Sequence, residues 1–207
     1  MARGDMGDPD LALLEQWCGG DAAAGNVLFH RHFGTLYKFF EHKVIGEVDD
    51  LVQETFLECV KGRDTFRRQS TFRTYLFAIA RNILLQHWRR KAGTRPTLDF
   101  EEVSIEALST SVGSRFARQS ERARLLAVLR TMPLEQQLLL EMFDWQELDR
   151  DQLAEVFEVE TATIGSRLHR ARQSMKERLG SPAHGQAPAP GDLDTWARSL
   201  AREEESS

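Results

Sequence analysis

The sequence predicts an all-α protein made of two small helical domains joined by an acidic flexible linker. Three observations lead there. Apolar residues recur at helical spacing through residues 8–92 and again through 116–179. Between them, residues 93–115 lose that period and fill with acids, threonine, serine, proline and glycine. The composition, 41% hydrophobic and 29% charged, suits small helical domains, which carry much surface for little core.

In the first domain, Asp8 and Pro9 read as an N-cap and a first-turn proline, and Gly19-Gly20 closes the helix they open. Asp21 caps a second helix with Leu28, Phe29, Phe33, Leu36, Tyr37 and Phe40 on its apolar positions. The third helix has the clearest stripe, Leu51, Val52, Thr55, Phe56, Cys59 and Val60. Asp50, Gln53, Glu54 and Glu58 occupy its other side, and Gly62 stops it. After the loop 63–69, Ser70 caps a fourth helix lined by Phe72, Leu76, Ile79, Ala80, Ile83, Leu84 and His87. The arginines and Asn82 flank that stripe.

The second domain opens with a helix carrying Leu125, Leu126, Val128 and Leu129, which ends at Met132-Pro133. A leucine-rich helix runs from Leu134 to about Trp145, and two shorter helices follow. From Gly180 the chain becomes a Pro/Ala/Gly tether, and Asp192–Ser207 can form one short helix with Leu193, Trp196 and Leu200 on one side. That tail either packs back, binds a partner or is idle.

No apolar run approaches the roughly 20 residues needed to span a bilayer. The polar, early-acidic stretch Met1–Pro9 is unlike a secretory signal. A cytoplasmic location without membrane insertion is expected. Cys18 and Cys59 both sit among apolar residues, so buried free thiols are the plain reading, with a redox pair or metal site as the alternative.

The net charge of −5 hides segregation. Lys61 to Lys91 carries Lys61, Arg63, Arg67, Arg68, Arg73, Arg81, Arg89, Arg90 and Lys91 against the single acid Asp64. Just upstream, Glu41, Glu47, Asp49, Asp50, Glu54 and Glu58 face only Lys43. Fields follow local charge, so one surface can draw phosphate while another draws a basic protein.

Residues 151–175 read as a helix-turn-helix. Leu153, Ala154 and Phe157 face inward on its first helix, and Glu158-Val159 makes the turn. A second helix beginning near Glu160 or Thr161 buries Ile164, Leu168, Ala171 and Met175. It presents Thr163, Gly165, Ser166, His169, Arg170 and Gln173, with Arg167 and Arg172 at the edges. Such a side suits the major groove, where arginines take guanine bidentately or pair with phosphate. A solvated amphipathic helix is the competing reading. Glu158 stands where the turn usually has glycine, and a non-glycine residue there carries a cost of roughly 1 kcal/mol.

Enzyme chemistry finds little support. His30 and His32 on one helix point about 200° apart, which disfavours joint metal ligation. Glu41, His42 and Asp144 have no supporting context, and there is no phosphate-binding glycine loop or Cys-x-x-Cys. No catalytic residue, metal or cofactor is expected.

Several segments together resemble the extracytoplasmic-function type of sigma factor in the sigma-70 family. Asp49-Asp50-Leu51-Val52-Gln53-Glu54-Thr55-Phe56 is similar to its polymerase-binding signature. Phe66-Arg67 and Thr71 to Asn82 resemble its −10 recognition region. Met132-Pro133-Leu134-Glu135-Gln136-Gln137 and Ser166 to Arg172 resemble its −35-binding domain. The resemblance covers roughly residues 10–92 and 117–179, and their order and spacing are more specific than any one of them.

The resemblance implies a region 2-like domain over 8–92, a linker over 93–115, a region 4-like domain over 116–179 and a tail over 180–207. It implies that Asp49, Asp50, Gln53 and Glu54 dock on the β′ clamp helices of core RNA polymerase, although solubility alone also accounts for that face. Phe66, Arg67, Arg68, Arg81 and Asn82 would hold the unwound −10 strand and a flipped base, whose extrusion costs a few kcal/mol. Phe66 either stacks on a base or packs in its loop. Thr163, Ser166, Arg167, His169, Arg170 and Arg172 would contact the −35 element. Promoter DNA, the β flap of the polymerase and an anti-sigma factor are the further partners implied. The linker either threads the polymerase cleft or is a plain tether. Gly165 and His169 depart from the common contact residues, which leaves the −35 bases open. The alternatives are a helix-turn-helix regulator acting without polymerase docking, or a decoy that captures an anti-sigma protein.

Overall fold

The computed structural model describes residues 10–63, 70–93, 98–108 and 121–180. Among the described residues every extended regular element is a helix, beside one isolated bridge between Ser104 and Pro133. In chain order the helices are α1 (Leu11–Cys18), α2 (Ala22–Glu41), α3 (Val48–Gly62), α4 (Phe72–Ala92), α5 (Ile105–Leu108), α6 (Glu121–Thr131), α7 (Leu134–Asp144), α8 (Arg150–Phe157) and α9 (Thr161–Leu179). Two compact units result. The first holds α1–α4; the second holds α5–α7, α9 and all but the last three residues of α8.

In the first unit, helix starts and stops follow local chemistry. The α1 helix begins at Leu11 with Asp10 before it, so the expected capping pair Asp8-Pro9 lies outside the described residues. Asp10 makes no side-chain cap. Its buried carboxylate instead meets Arg31 and, at 2.5 Å, Nε2 of His32, tying the start of α1 to α2. Gly20, at φ 101°, provides the left-handed turn into α2. The Asp21 carboxylate then accepts from the backbone of Ala23 and Ala24, which is the expected cap.

The α4 cap differs from expectation. Thr71, not Ser70, holds the position, its Oγ1 accepting from the Thr74 N–H at 3.1 Å. Thr71 immediately precedes the first helical residue, so its hydroxyl lies within reach of the amide of the third helical residue.

The core of this unit gathers around α4, which buries Phe72, Leu76, Phe77, Ala80, Ile83, Leu84, Leu85, His87 and Trp88. Phe72 meets the Trp17 ring edge-on at 6.2 Å, Phe77 meets Phe39 at 5.5 Å, and Phe29 stacks on Phe56 at 4.6 Å. Two expected core positions emerge instead: Phe33 is 45% exposed and Val60 46%. Cys59 is buried, and that burial, with the Glu58 charge nearby, pushes its thiol up to about 12. Both cysteines are free thiols, Cys18 being half-buried.

The second unit buries Leu125, Val128, Leu129, Leu138, Leu139, Met142, Leu153, Ile164, Leu168, Ala171 and Met175. Asp149 caps α8 by accepting from Asp151 and Gln152, while the Gln152 side chain accepts from the Asp149 N–H. This reciprocal box sets where the helix-turn-helix begins.

The expectation of a flexible linker over 93–115 needs correction for its described middle. Residues 98–108 form a turn and the short helix α5, with Phe100 and Ile105 buried. Val103 and Phe100 carbonyls accept from Leu134 and Glu135 at 3.0 and 3.1 Å. Acids are interspersed through the segment at Asp99, Glu101, Glu102 and Glu106, yet two well-spaced apolar anchors and backbone bonding suffice to dock it.

Gly25 of α2 faces Trp17, where an added Cβ would sit 2.4 Å from the indole. Gly25→Ala is expected to lower the unfolding free energy by about 1–3 kcal/mol in urea titration, the usual cost of overpacking a filled core. Unchanged stability would mean that α1 and α2 separate freely.

Candidate functional site

The α3 face combines charge and exposed apolar surface. Asp49 and Asp50 stand exposed in its first turn, where the helix dipole favours acids by roughly 0.3–1 kcal/mol. Asp50, Gln53, Leu57 and Val60 share one face by their i, i+3, i+7, i+10 spacing. Leu57 is 52% exposed. Glu54, at the edge of this face, meets Arg90 of α4 at 3.2 Å, a surface pair worth little in water. An acidic head running into an apolar tail can dock on a partner that is basic at one end and apolar beside it. Val60 fits the inward stripe by spacing, yet it is 46% exposed; the sequence signal for the tail was Leu57, an apolar residue off that stripe and three residues before Val60.

The −10 candidates divide. Arg81 and Asn82 lie on α4, Arg81 partly exposed and Asn82 exposed. Phe66, Arg67 and Arg68 lie outside the described residues. The polar side of α4 is narrow because so much of the helix is buried, and it carries Gln86, Arg89 and Arg90 exposed beyond Asn82.

The helix-turn-helix matches its sequence reading closely. Glu158 adopts φ 55°, so the turn takes the left-handed conformation without the usual glycine. Thr161 of α9 donates its hydroxyl to the Asp151 carboxylate of α8 at 2.9 Å, linking the two helices. Ile164, Leu168, Ala171 and Met175 are buried as expected.

The outward residues of α9 are not equivalent. His169, Arg170 and Gln173 are exposed. Thr163 is half-buried, and its carbonyl accepts the Ser166 hydroxyl at 2.9 Å. Arg167 pairs with Glu101 at 2.9 Å. Arg172 pairs with buried Asp144 at 3.3 Å and lies over the Phe143 ring at 5.0 Å. Arg172 thereby fastens α9 to α7, a role that its place at the edge of the polar side did not disclose. The only sequence hint was an acid, Asp144, stranded at the end of a leucine-rich helix.

No group of three metal-ligating side chains comes together among the described residues. Nor is any described helix long and apolar enough to cross a membrane.

Comparison with known proteins bears directly on this arrangement. Sigma-70 region 2 matches residues 28–94, and sigma-70 region 4 matches residues 122–175, together more than half of the chain. The chain belongs to the sigma-70 family. Its relatives are of the extracytoplasmic-function type. The ECF RNA polymerase sigma-E factor of Escherichia coli K12 is 24% identical over 187 residues, covering 82% of this chain and 94% of the relative. The ECF sigma factor SigM of Mycobacterium tuberculosis is 28% identical over 173 residues, covering 83% and 85%.

Among solved structures, CnrH in complex with the cytosolic domain of CnrY aligns with TM-score 0.61 and 22% identity, over 83% of this chain and 97% of that one. The sigma factor RpoE of Bartonella quintana, solved with the anti-sigma factor NepR, aligns with TM-score 0.54 and 19% identity, over 71% and 91%. These likenesses show the fold. In sigma-70 terms, α3 and α4 belong to region 2 and α9 to region 4. Glu101 lies in neither matched segment.

Gly165 sits within the region 4 match on the outward side of α9, and an added Cβ would meet no atom within 4 Å. Gly165→Ala is expected to stabilise the second unit by about 0.8–1 kcal/mol, the helix-propensity difference between the two residues. Urea unfolding followed by circular dichroism measures it. A loss of stability would contradict the open space at this position.

Proposed function

We infer that this protein is a dissociable sigma factor, directing core RNA polymerase to promoters through −10 and −35 recognition. The observation that carries the reading is the pairing of regions 2 and 4, in that order, on two separate helical units. The domain covering 8–92 docks on the polymerase and holds the −10 strand. The domain covering 116–179 reads −35 and meets the β flap.

Asp49, Asp50, Gln53 and Glu54 take the β′ clamp helices, with Leu57 and Val60 extending that contact. Arg81 and Asn82, with Phe66, Arg67 and Arg68 earlier in the chain, hold the unwound strand. Electrostatic attachment to phosphate and a polar group for an extruded base offset the cost of melting. On α9, His169 and Arg170 are exposed and in position for base edges, with Thr163, Ser166 and Arg167 beside them. Arg172 acts by holding α9 in place. The protein works in the cytoplasm with its polymerase and performs no catalysis itself, since RNA synthesis is the polymerase's chemistry. An anti-sigma protein is a further partner, on the analogy of the related RpoE complex. A polymerase-independent regulator would not require the acidic α3 face, which favours the initiating role.

Promoter-specific run-off transcription tests this directly. Core polymerase plus this protein should produce start sites on a promoter library that core alone does not, and none appearing would sink the reading. Within that assay, Asp50→Arg should cut polymerase affinity at least about tenfold with the helical content intact, because like charges forced together cost several kcal/mol. Arg170→Ala should weaken −35-dependent output by about 1–3 kcal/mol equivalent, the worth of one bidentate base contact.

A further inference from the structure

The helix α7 opens without a cap of its own. Pro133 precedes it and makes no side-chain cap bond, yet the first amides of any helix need acceptors. The 98–108 segment supplies them through its Phe100 and Val103 carbonyls. Phe100 and Ile105, 4% and 0% exposed, anchor that segment. The segment is therefore part of the second unit and held in one place.

Its acids are placed by the same geometry. The Asp99 carboxylate accepts from the Glu101 N–H at 2.9 Å, fixing the turn. Glu101 then reaches α9 and pairs with Nη1 of Arg167 at 2.9 Å. Arg167 lies one residue from Ser166 and one turn from Arg170, on the side read above as facing DNA. A guanidinium binds carboxylate and phosphate through the same planar donors. Because the carboxylate is tethered, its local concentration at Arg167 stays high whatever the protein concentration.

We propose that the 98–108 segment is a built-in competitor of promoter DNA: Glu101 occupies Arg167 in the unbound chain, and a DNA phosphate must displace it. This rests on the reading of α9 as the −35 helix. Neutralising Arg167 weakens the attraction of the unbound second domain for DNA at large. The competition is short-ranged and electrostatic, so it ends when the segment is drawn away or when phosphate is presented at close quarters.

The test uses the full-length chain without polymerase and a labelled duplex carrying a −35 element from run-off selection, followed by fluorescence anisotropy at low salt. Glu101→Gln keeps the side chain's size and removes the competing charge. It should tighten binding about two- to fivefold, the range expected for an exposed ion pair. Glu102→Gln removes an equal charge from the neighbouring exposed residue and should gain clearly less. Arg167→Gln should weaken binding, and adding Glu101→Gln to it should restore nothing. Equal gains from Glu101→Gln and Glu102→Gln would overturn the proposal in favour of general repulsion. No gain from Glu101→Gln, with Arg167→Gln still weakening binding, overturns the competition and leaves the DNA-binding helix standing. If Arg167→Gln has no effect, the assignment of Arg167 to DNA fails first, and the competition fails with it.

Discussion

The near-complete enclosure of α4 constrains most of what the first unit can do. A helix that buries Phe72, Leu76, Phe77, Ala80, Ile83, Leu84, Leu85 and Trp88 has apolar contacts around most of its circumference. Each of the larger side chains contributes roughly 1.5–3 kcal/mol on full burial, so the helix is well fixed. Its polar residues can then emerge only along a narrow strip. Asn82, Gln86, Arg89 and Arg90 are exposed there by exclusion from the core, and Arg81 stands beside them. A rigid strip of this kind suits a single strand, whose phosphates and bases must be held at fixed intervals after melting.

The second unit solves a different problem with α9. One stripe, Ile164, Leu168, Ala171 and Met175, goes into the core, and the remaining side must stay polar without drifting. Arg172 anchors that side by sitting over Phe143 and pairing with Asp144. Double-mutant reasoning treats such a partly buried pair as costly to break from one side, because the stranded Asp144 carboxylate is buried. Of the α9 arginines in this region, Arg167 and Arg172 are occupied within the unit, and Arg170 is exposed. Helical spacing already puts Arg167 and Arg172 at the edges of the polar side, but not the partners that hold them there.

Much of this was legible in the sequence wherever period and capping act locally. The third helix, the leucine-rich helix and the inward stripe of the helix-turn-helix follow from spacing, and Asp21 caps as its chemistry demands, while Glu158 takes the left-handed turn position against its own preference. Failures came where long-range partners decide. Val60 and Phe33 fit an apolar period, yet no neighbour covers them fully. Ser70 is as good a cap as Thr71, and only the register of α4 chooses between them. The linker differs most, because Asp99, Glu101, Glu102 and Glu106 interrupt any helical period in the segment, while burial of Phe100 and Ile105 docks it. The site residues divide in the same way. Membership of the polar side of α9 is written in the sequence, but the partners Glu101 and Asp144 are distant along the chain and carry no local signal.

The docked segment also couples stability to recognition. The carbonyls of Phe100 and Val103 stand in for a missing cap on α7, so detaching the segment exposes two amides that water must then satisfy. α7 in turn carries Asp144 and Phe143, which hold Arg172 of α9. The contact that places Glu101 on Arg167 therefore sits on the same support that orients the helix bearing Arg167. A stronger anchor would steady α9 and also hold the competing carboxylate more firmly. A weaker anchor would release Arg167 and loosen the frame on which it is presented. Between those limits, a carboxylate on a docked but modest segment of two apolar anchors gives an arginine that yields to phosphate without the helix losing its place.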